Sequence, residues 1–105
     1  MQIAIDDKGA TATVVLTGRL DIAGAEAVAL PLATLSGAKT SLVIDMAGVS
    51  FIASIGLRHL VTASKAVRRR GGRLVLINPN AAVADVIQTS GLTDLLPVAD
   101  SAEHA

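Results

Sequence analysis

The sequence predicts a single α/β domain in which a mixed, mostly parallel sheet carries its helices mainly on one face. First, β-branched apolar runs alternate with segments of helical periodicity, in the order β, β, α, β, α, β, α, β. Second, Leu42–Met46 and Leu74–Ile77 are apolar on both faces, as the central strands of a parallel sheet are. Third, a chain of 105 residues that is 51% hydrophobic can fill one compact core, so we expect one domain over residues 1–105.

The N-terminal residues predict a β-hairpin. Gln2–Asp6 alternates weakly between apolar and polar side chains, and Asp7–Gly9 has the composition of a turn. Thr11–Thr17 then contains a β-branched run, which favours a strand. If all the helices lie on one face of the sheet, we expect this hairpin to cover the other face, because the apolar run Leu42–Met46 needs cover on both sides.

The first helix is predicted over Ala23–Ser36, where Ala and Leu recur at helical spacing and Gly37 follows in the position of a helix stop. Pro31 interrupts this pattern, and a proline in a helix interior costs about 3 kcal/mol. The helix is therefore expected either to kink near Val28 or to begin later than its apolar stripe. We favour the kink.

The second helix, Ile55–Arg70, has the strongest periodicity in the chain. The basic run Arg68–Arg70 complements the negative end of the helix dipole, and Gly71-Gly72 ends the helix. Its inward side chains recur at intervals of three and four residues: Leu57, Leu60, Val61, Ser64 and Val67.

The C-terminal part of the chain predicts one more strand, helix and strand. Leu74–Ile77 is the buried strand, and Asn80 is placed to cap a helix over Ala81–Thr89. A short strand over Leu95–Val98 and a polar tail, Asp100–Ala105, follow.

Composition narrows the classes of function. Nine basic and nine acidic residues balance, so no overall field attracts nucleic acid or an anionic membrane. Phe51 is the sole aromatic residue, which leaves no stacking platform for bases, and the absence of cysteine excludes disulfide and thiolate chemistry. No segment approaches the roughly 20 apolar residues of a membrane span, and the N-terminus lacks signal-peptide character. We expect a cytoplasmic protein.

The entrance of the second helix, at Ser54, is the main candidate site. A serine there can cap the helix that starts at Ile55, contact a protein partner, or accept a phosphate. Arg19 and Asp21 end the second strand, near the expected position of Ser54, and are candidate partner contacts. Asp45 precedes a turn that contains glycine, and we interpret it as a turn residue rather than a catalytic acid.

The sequence carries no motif for catalysis, metal binding or cofactor binding. No nucleophile has a base in a recognisable motif, no carboxylates are paired, and no Gly-rich phosphate loop joins a strand to a helix. His59 and His104 lack acidic neighbours at ligand spacing, so we expect no metal site. These features predict a non-catalytic interaction module without a cofactor.

Three segments carry a resemblance to a known family: Leu16–Asp21, Leu42–Leu57 and Gly71–Leu76. Together they resemble the STAS domain, the family named for sulfate transporters and bacterial anti-sigma factor antagonists. In its antagonist members the loop after the central strand reads Asp-Ser-x-Gly, and a kinase that is also the anti-sigma factor phosphorylates the serine. Ser54 and Gly56 match this pattern, whereas Ala53 replaces the aspartate.

The resemblance implies a module that binds an anti-sigma factor with serine kinase activity and releases it when Ser54 is phosphorylated. Two alternatives remain open: an accessory subunit bound to an ATP-binding transporter component of the phospholipid-trafficking type, and a module that binds a small ligand at the carboxyl ends of the strands. We expect no direct contact with nucleic acid. The residues expected to contact the partner are Arg19, Asp21, Ala53, Ser54, Ile55, Arg58, His59 and Thr62.

Overall fold

A computed structural model describes residues 1–99 and shows five strands and three helices in the predicted order. The predicted polar tail, with His104, lies outside the described residues. The elements are β1 (Gln2–Lys8), β2 (Thr11–Leu20), α1 (Ile22–Ala38), β3 (Ser41–Ile52), α2 (Ser54–Arg69), β4 (Arg73–Ile77), α3 (Ala81–Thr89) and β5 (Val98–Ala99).

The strands form one mixed sheet in the order β1-β2-β3-β4-β5. The β1–β2 pair is the predicted antiparallel hairpin, and its turn contains Gly9 with φ of 76°. The other three pairs are parallel, because a helix or a longer connection returns the chain between them. The predicted mixed, mostly parallel sheet is confirmed.

All three helices pack on the same face of this sheet. Alternate residues of β2, β3 and β4 form one buried cluster with side chains of α1, α2 and α3, as predicted. Val43, Val75 and Ile77 form a smaller cluster on the opposite face. The hairpin extends the edge of the sheet beside β3 and does not cover that face, so this part of the prediction was wrong.

β3 is longer than the sequence predicted. The residues Ala47–Ser50, expected to form a loop, continue the strand to Ile52. They remain paired with β2 because the register shifts twice, between Val15 and Thr17 and again between Gly18 and Arg19. These irregularities carry β2 and β3 side by side to the entrance of α2.

α1 also differs from its prediction at both ends. It begins at Ile22, which excludes the later start, and it continues on both sides of Pro31 to Ala38, beyond the expected stop at Gly37. The last turn is held from outside the helix, since the Arg70 guanidinium donates hydrogen bonds to the carbonyl oxygens of Ser36 (3.1 Å) and Lys39 (2.6 Å). Long-range contacts therefore decide where this helix ends.

The last strand is shifted relative to the predicted Leu95–Val98. The Leu96 N–H donates to the Leu92 carbonyl oxygen at 2.8 Å, so these residues form a turn. Pro97 has no N–H, and its carbonyl oxygen accepts a hydrogen bond from the Leu76 N–H at 2.8 Å. Pairing with β4 begins only at Val98.

Candidate functional site

The parallel strands β2 and β3 end side by side and bring the predicted site residues together. Leu20 lies opposite Ile52, and the Ala53 N–H donates to the Leu20 carbonyl oxygen at 3.0 Å. This bond fixes the start of α2 beside the end of β2. Arg19 and Asp21, which flank Leu20, therefore lie next to the helix entrance, as predicted.

Ser54 is exposed and is the first residue of α2. Of the three roles considered for Ser54, capping does not occur, because Ala53 occupies the N-cap position (φ −99°, ψ 167°) and no side chain caps the helix. The first helical bond runs from the Leu57 N–H to the Ala53 carbonyl oxygen at 3.1 Å. The N–H groups of Ser54, Ile55 and Gly56 precede that bond and have no acceptor within the helix.

The other two helices have side-chain caps. Asp21 Oδ1 accepts a hydrogen bond from the Gly24 N–H at 3.0 Å, and Asn80 Oδ1 accepts one from the Val83 N–H at 2.8 Å. The Asn80 cap was predicted from the sequence and is confirmed. The bond from Gly24, with the Arg19 guanidinium close by, lowers the pKa of the Asp21 carboxyl. The equivalent group in α2 is the Gly56 N–H, which no side chain caps.

Arg19 makes two contacts beside the helix entrance. Its guanidinium lies 4.4 Å from the centroid of the Phe51 ring, and its Nε lies 3.6 Å from Asp21 Oδ2. Arg19 and Asp21 therefore form a surface ion pair. The cation–π contact was not predicted, because it depends on the pairing of Arg19 with Phe51 across two strands.

Two exposed apolar residues next to this cluster were missed in the sequence analysis. Phe51 is 40% exposed and Ile22 is 71% exposed. Phe51 could have been suspected, since it is the sole aromatic residue of the chain and stands three positions before Ser54. The exposure of Ile22 had no local signal, because the first residue of α1 could not be located from sequence.

Gly56 lets the first turn of α2 approach the end of β2. A Cβ atom there would lie 2.7 Å from Leu20 Cγ and 2.8 Å from the Leu20 carbonyl oxygen. Both distances are shorter than ordinary van der Waals contact, so a larger residue would push α2 away from the sheet. The Ser-x-Gly spacing therefore has a packing reason that is independent of any partner.

The remaining predicted residues follow α2 away from Ser54. Arg58 and Thr62 are exposed, and the Thr62 hydroxyl donates to the Arg58 carbonyl oxygen at 2.9 Å. Ile55 is half-buried. From the sequence alone, His59 on an outward position of the helix is expected to be solvated. It is instead half-buried and lines a cleft between α1 and α2, because its position on the helix turns it towards α1.

Asp45 lies within β3 and is not the turn residue that the sequence predicted, because the strand continues through the expected turn to Ile52. Its Oδ1 accepts a hydrogen bond from the Ala47 N–H at 3.0 Å, where β3 departs from regular pairing. Among residues 1–99, no three His, Cys, Asp or Glu side chains come close enough together to hold a metal ion. None of the helices described has the length and apolar character needed to cross a membrane.

Comparison with known proteins supports the resemblance inferred from sequence. The STAS domain family model matches residues 2–105. BtrV of Bordetella bronchiseptica, which is named as an anti-sigma factor antagonist, is 30% identical over 106 residues, covering 100% of this chain and 91% of BtrV.

Solved structures agree with this assignment. The anti-sigma factor antagonist SpoIIAA in its unphosphorylated form has a TM-score of 0.83 and 26% identity, covering 97% of this chain and 91% of SpoIIAA. SpoIIAA in its phosphorylated form, described as a Bacillus cell fate determinant, has a TM-score of 0.76 and 25% identity, covering 97% of this chain and 95% of that one. The chain therefore belongs to the STAS domain family and has the fold of its anti-sigma factor antagonists.

Proposed function

We propose that this protein is a non-catalytic, cytoplasmic anti-sigma factor antagonist that binds an anti-sigma factor with serine kinase activity and releases it when Ser54 is phosphorylated. The position of Ser54 carries the proposal. Its side chain is exposed at the first residue of α2 and no cap bond occupies it, so a kinase can reach the hydroxyl without unfolding the helix.

The surroundings of Ser54 favour a phosphate on the folded protein. Phosphorylation adds roughly −1.5 to −2 charges at pH 7. The N–H groups of the first turn of α2 are uncapped, and the dipole of that helix is positive at this end. Arg58 is one turn further along, on the same side as Ser54. These groups can stabilise the phosphate, so we expect the modified domain to stay folded.

The same phosphate would weaken partner binding. A partner that covers unmodified Ser54 would have to desolvate a group carrying nearly two charges, at a cost of several kcal/mol unless it supplied its own cations. The surface that the partner would cover is the predicted set together with the two exposed apolar residues found beside it: Arg19, Asp21, Ile22, Phe51, Ala53, Ser54, Ile55, Arg58, His59 and Thr62.

Ala53 changes one detail of the proposed switch. An aspartate in its place could cap α2 and compete with a phosphate for the Gly56 N–H, since Ala53 has N-cap geometry. With alanine there, those N–H groups remain available to the phosphate. An acidic neighbour is also missing beside the serine, so we expect the kinase to dock through Arg19, Phe51 and the outer face of α2.

Phosphate transfer to the intact protein tests this function. The chain is incubated with ATP and each anti-sigma-type serine kinase of its own genome, and the modified residue is located by mass spectrometry. We expect phosphate on Ser54 and none after Ser54→Ala, while Ser50→Ala, which changes another exposed serine, stays a substrate. Transfer by no kinase, or transfer to Ser50, would contradict the proposal.

A second measurement separates the switch from a structural role. Ser54→Asp places a single negative charge at the first position of α2, where it interacts favourably with the helix dipole. We expect its Tm to stay near that of the unmodified protein while binding to the kinase that phosphorylates Ser54 weakens at least tenfold. Unchanged binding to an ATPase subunit would instead support the accessory-subunit alternative.

A further inference from the structure

A cleft with a volume of about 420 Å³ runs between the outer parts of α1 and α2. It is open to solvent, and it is apolar apart from His59 and the hydroxyl groups at its rim. The residues that form its walls are Ala29, Ala33 and Gly37 of α1 and His59, Ala63 and Ala66 of α2.

The outer side of α1 is apolar where a surface helix is usually polar. Leu30 is 75% exposed, and Glu26 is the one charged side chain between Ile22 and Ala38. A helix that is apolar on its outer as well as its inner side normally has a neighbour on both sides. In the isolated domain, no other helix or strand among residues 1–99 covers this surface.

The outer face of α2 beside the cleft is basic, three or four positions along the helix from the cleft residues Thr62 and Ala66. Arg58, Lys65 and Arg69 are exposed on the outer face of the helix, and α2 has no acidic residue. The ion pairs among residues 1–99 involve other cations, so these three charges are not neutralised by the part of the chain that the structure describes. An occupant of the cleft would meet a mostly apolar lining, and the part of it that extends over α2 would meet positive charge.

We propose that the cleft between α1 and α2 binds an amphipathic helix of the anti-sigma factor, with its apolar stripe against α1 and its acidic flank against Arg58, Lys65 and Arg69. The inference rests on the proposed function for the identity of the partner. Charge complementarity selects an acidic helix, and the concave shape suits a row of side chains rather than a flat bilayer. His59 and Thr62 belong both to this cleft and to the surface around Ser54, so one partner can cover both.

NMR titration of the ¹⁵N-labelled chain of 105 residues tests this docking. The probe is a synthetic peptide of about 18 residues, long enough to form a helix, with leucines on one face and glutamates on both flanks. The control peptide has lysine in place of every glutamate. We expect saturable shifts at Ala29, Ala33 and Ala66 with the acidic peptide, weakening as salt is added, and much weaker binding of the lysine peptide.

Matched variants locate the binding surface. Lys65→Glu should weaken binding of the acidic peptide about tenfold, because an attractive contact becomes repulsive, whereas Arg73→Glu on the strand β4 should leave it unchanged. Ala33→Glu puts an acid into the cleft and should also weaken binding. Ala27→Glu places the same residue on an exposed position of α1 outside the cleft and should not.

Several results would overturn the inference. They are the absence of saturable binding, equal binding of the two peptides, and shifts that map to a different surface. The protein could instead cosediment with phosphatidylglycerol vesicles more strongly than it binds the peptide. If Lys65→Glu abolished that cosedimentation, the occupant of the cleft would be a membrane surface. Self-association that depends on concentration and on Ala33 would indicate a second copy of this chain as the occupant. Because the peptide assay needs no kinase, its failure leaves phosphorylation of Ser54 untouched, and the reverse also holds.

Discussion

Replacing Ala53 by aspartate should stabilise the domain, because it supplies the missing cap of α2. Ala53 already has the extended backbone of an N-cap residue, and the caps of α1 and α3 both bind the N–H three positions further on. An aspartate at position 53 can bind the Gly56 N–H in the same way. A side-chain cap in place of alanine contributes about 1 kcal/mol, within a range of about 0.5–2 kcal/mol.

Thermal and urea unfolding measure this change. For a domain of this size, about 1 kcal/mol corresponds to a rise in Tm of about 4 °C. Ala53→Asn is the matched control, because its side chain caps about as well without adding a charge. We expect both variants to be more stable than the unmodified protein, with the aspartate variant losing its advantage as the pH falls and its carboxyl is protonated.

The opposite change tests the same reasoning elsewhere in the molecule. Asp21→Ala removes the cap of α1 and should lower the Tm, because the Gly24 N–H loses its acceptor. If Asp21→Ala destabilises the protein while Ala53→Asp and Ala53→Asn leave the Tm unchanged, the N–H groups of α2 already have partners in solution. The account of an uncapped site at Ser54 would then be refuted.

Three other changes test contacts at the site and elsewhere in the fold. Gly56→Ala should lower the free energy of unfolding by about 1–3 kcal/mol, because the added Cβ clashes with β2. The control Gly37→Ala has no atom within 4 Å of the added Cβ and should raise the free energy of unfolding by up to about 1 kcal/mol. Equal effects of the two variants in urea unfolding would contradict the close approach of α2 to β2. Arg70→Ala should lower the free energy of unfolding by about 1–2 kcal/mol, because two carbonyl oxygens at the end of α1 lose their hydrogen-bond donor. Arg69→Ala, its control, should change the free energy of unfolding little. The hydrogen bond from the Lys39 ammonium lowers the pKa of Asp7, so this bond stabilises the folded protein above the unfolded pKa of about 4, and the stabilisation is lost as the pH falls through the folded pKa. Asp7→Asn should therefore flatten the pH dependence of the Tm below about pH 5. An unchanged pH profile of the Tm would refute this role of Asp7.

Local signals in the sequence were enough to predict the order of the elements and much of the site. Helical periodicity located α2 within one residue of its start and end, and the cap at Asn80 located α3 over Ala81–Thr89. Both signals lie within a few positions along the chain, so they do not depend on the rest of the fold. The resemblance to STAS domains then selected Ser54, and the comparison with known proteins confirmed the family.

Features that depend on distant parts of the chain were decided only by the tertiary structure. β3 continues to Ile52 because β2 pairs with it through two register shifts, and the end of α1 depends on Arg70. Ser54 does not cap α2 because the helix begins at Ser54 itself, one residue before the start that the sequence predicted. The cleft exists because of the way α1 and α2 pack against each other. The sequence by itself determined which segments become helices and strands, because those preferences are local. Tertiary packing alone decided which side chains are left exposed to meet a partner, since exposure is a property of the neighbours and not of the residue.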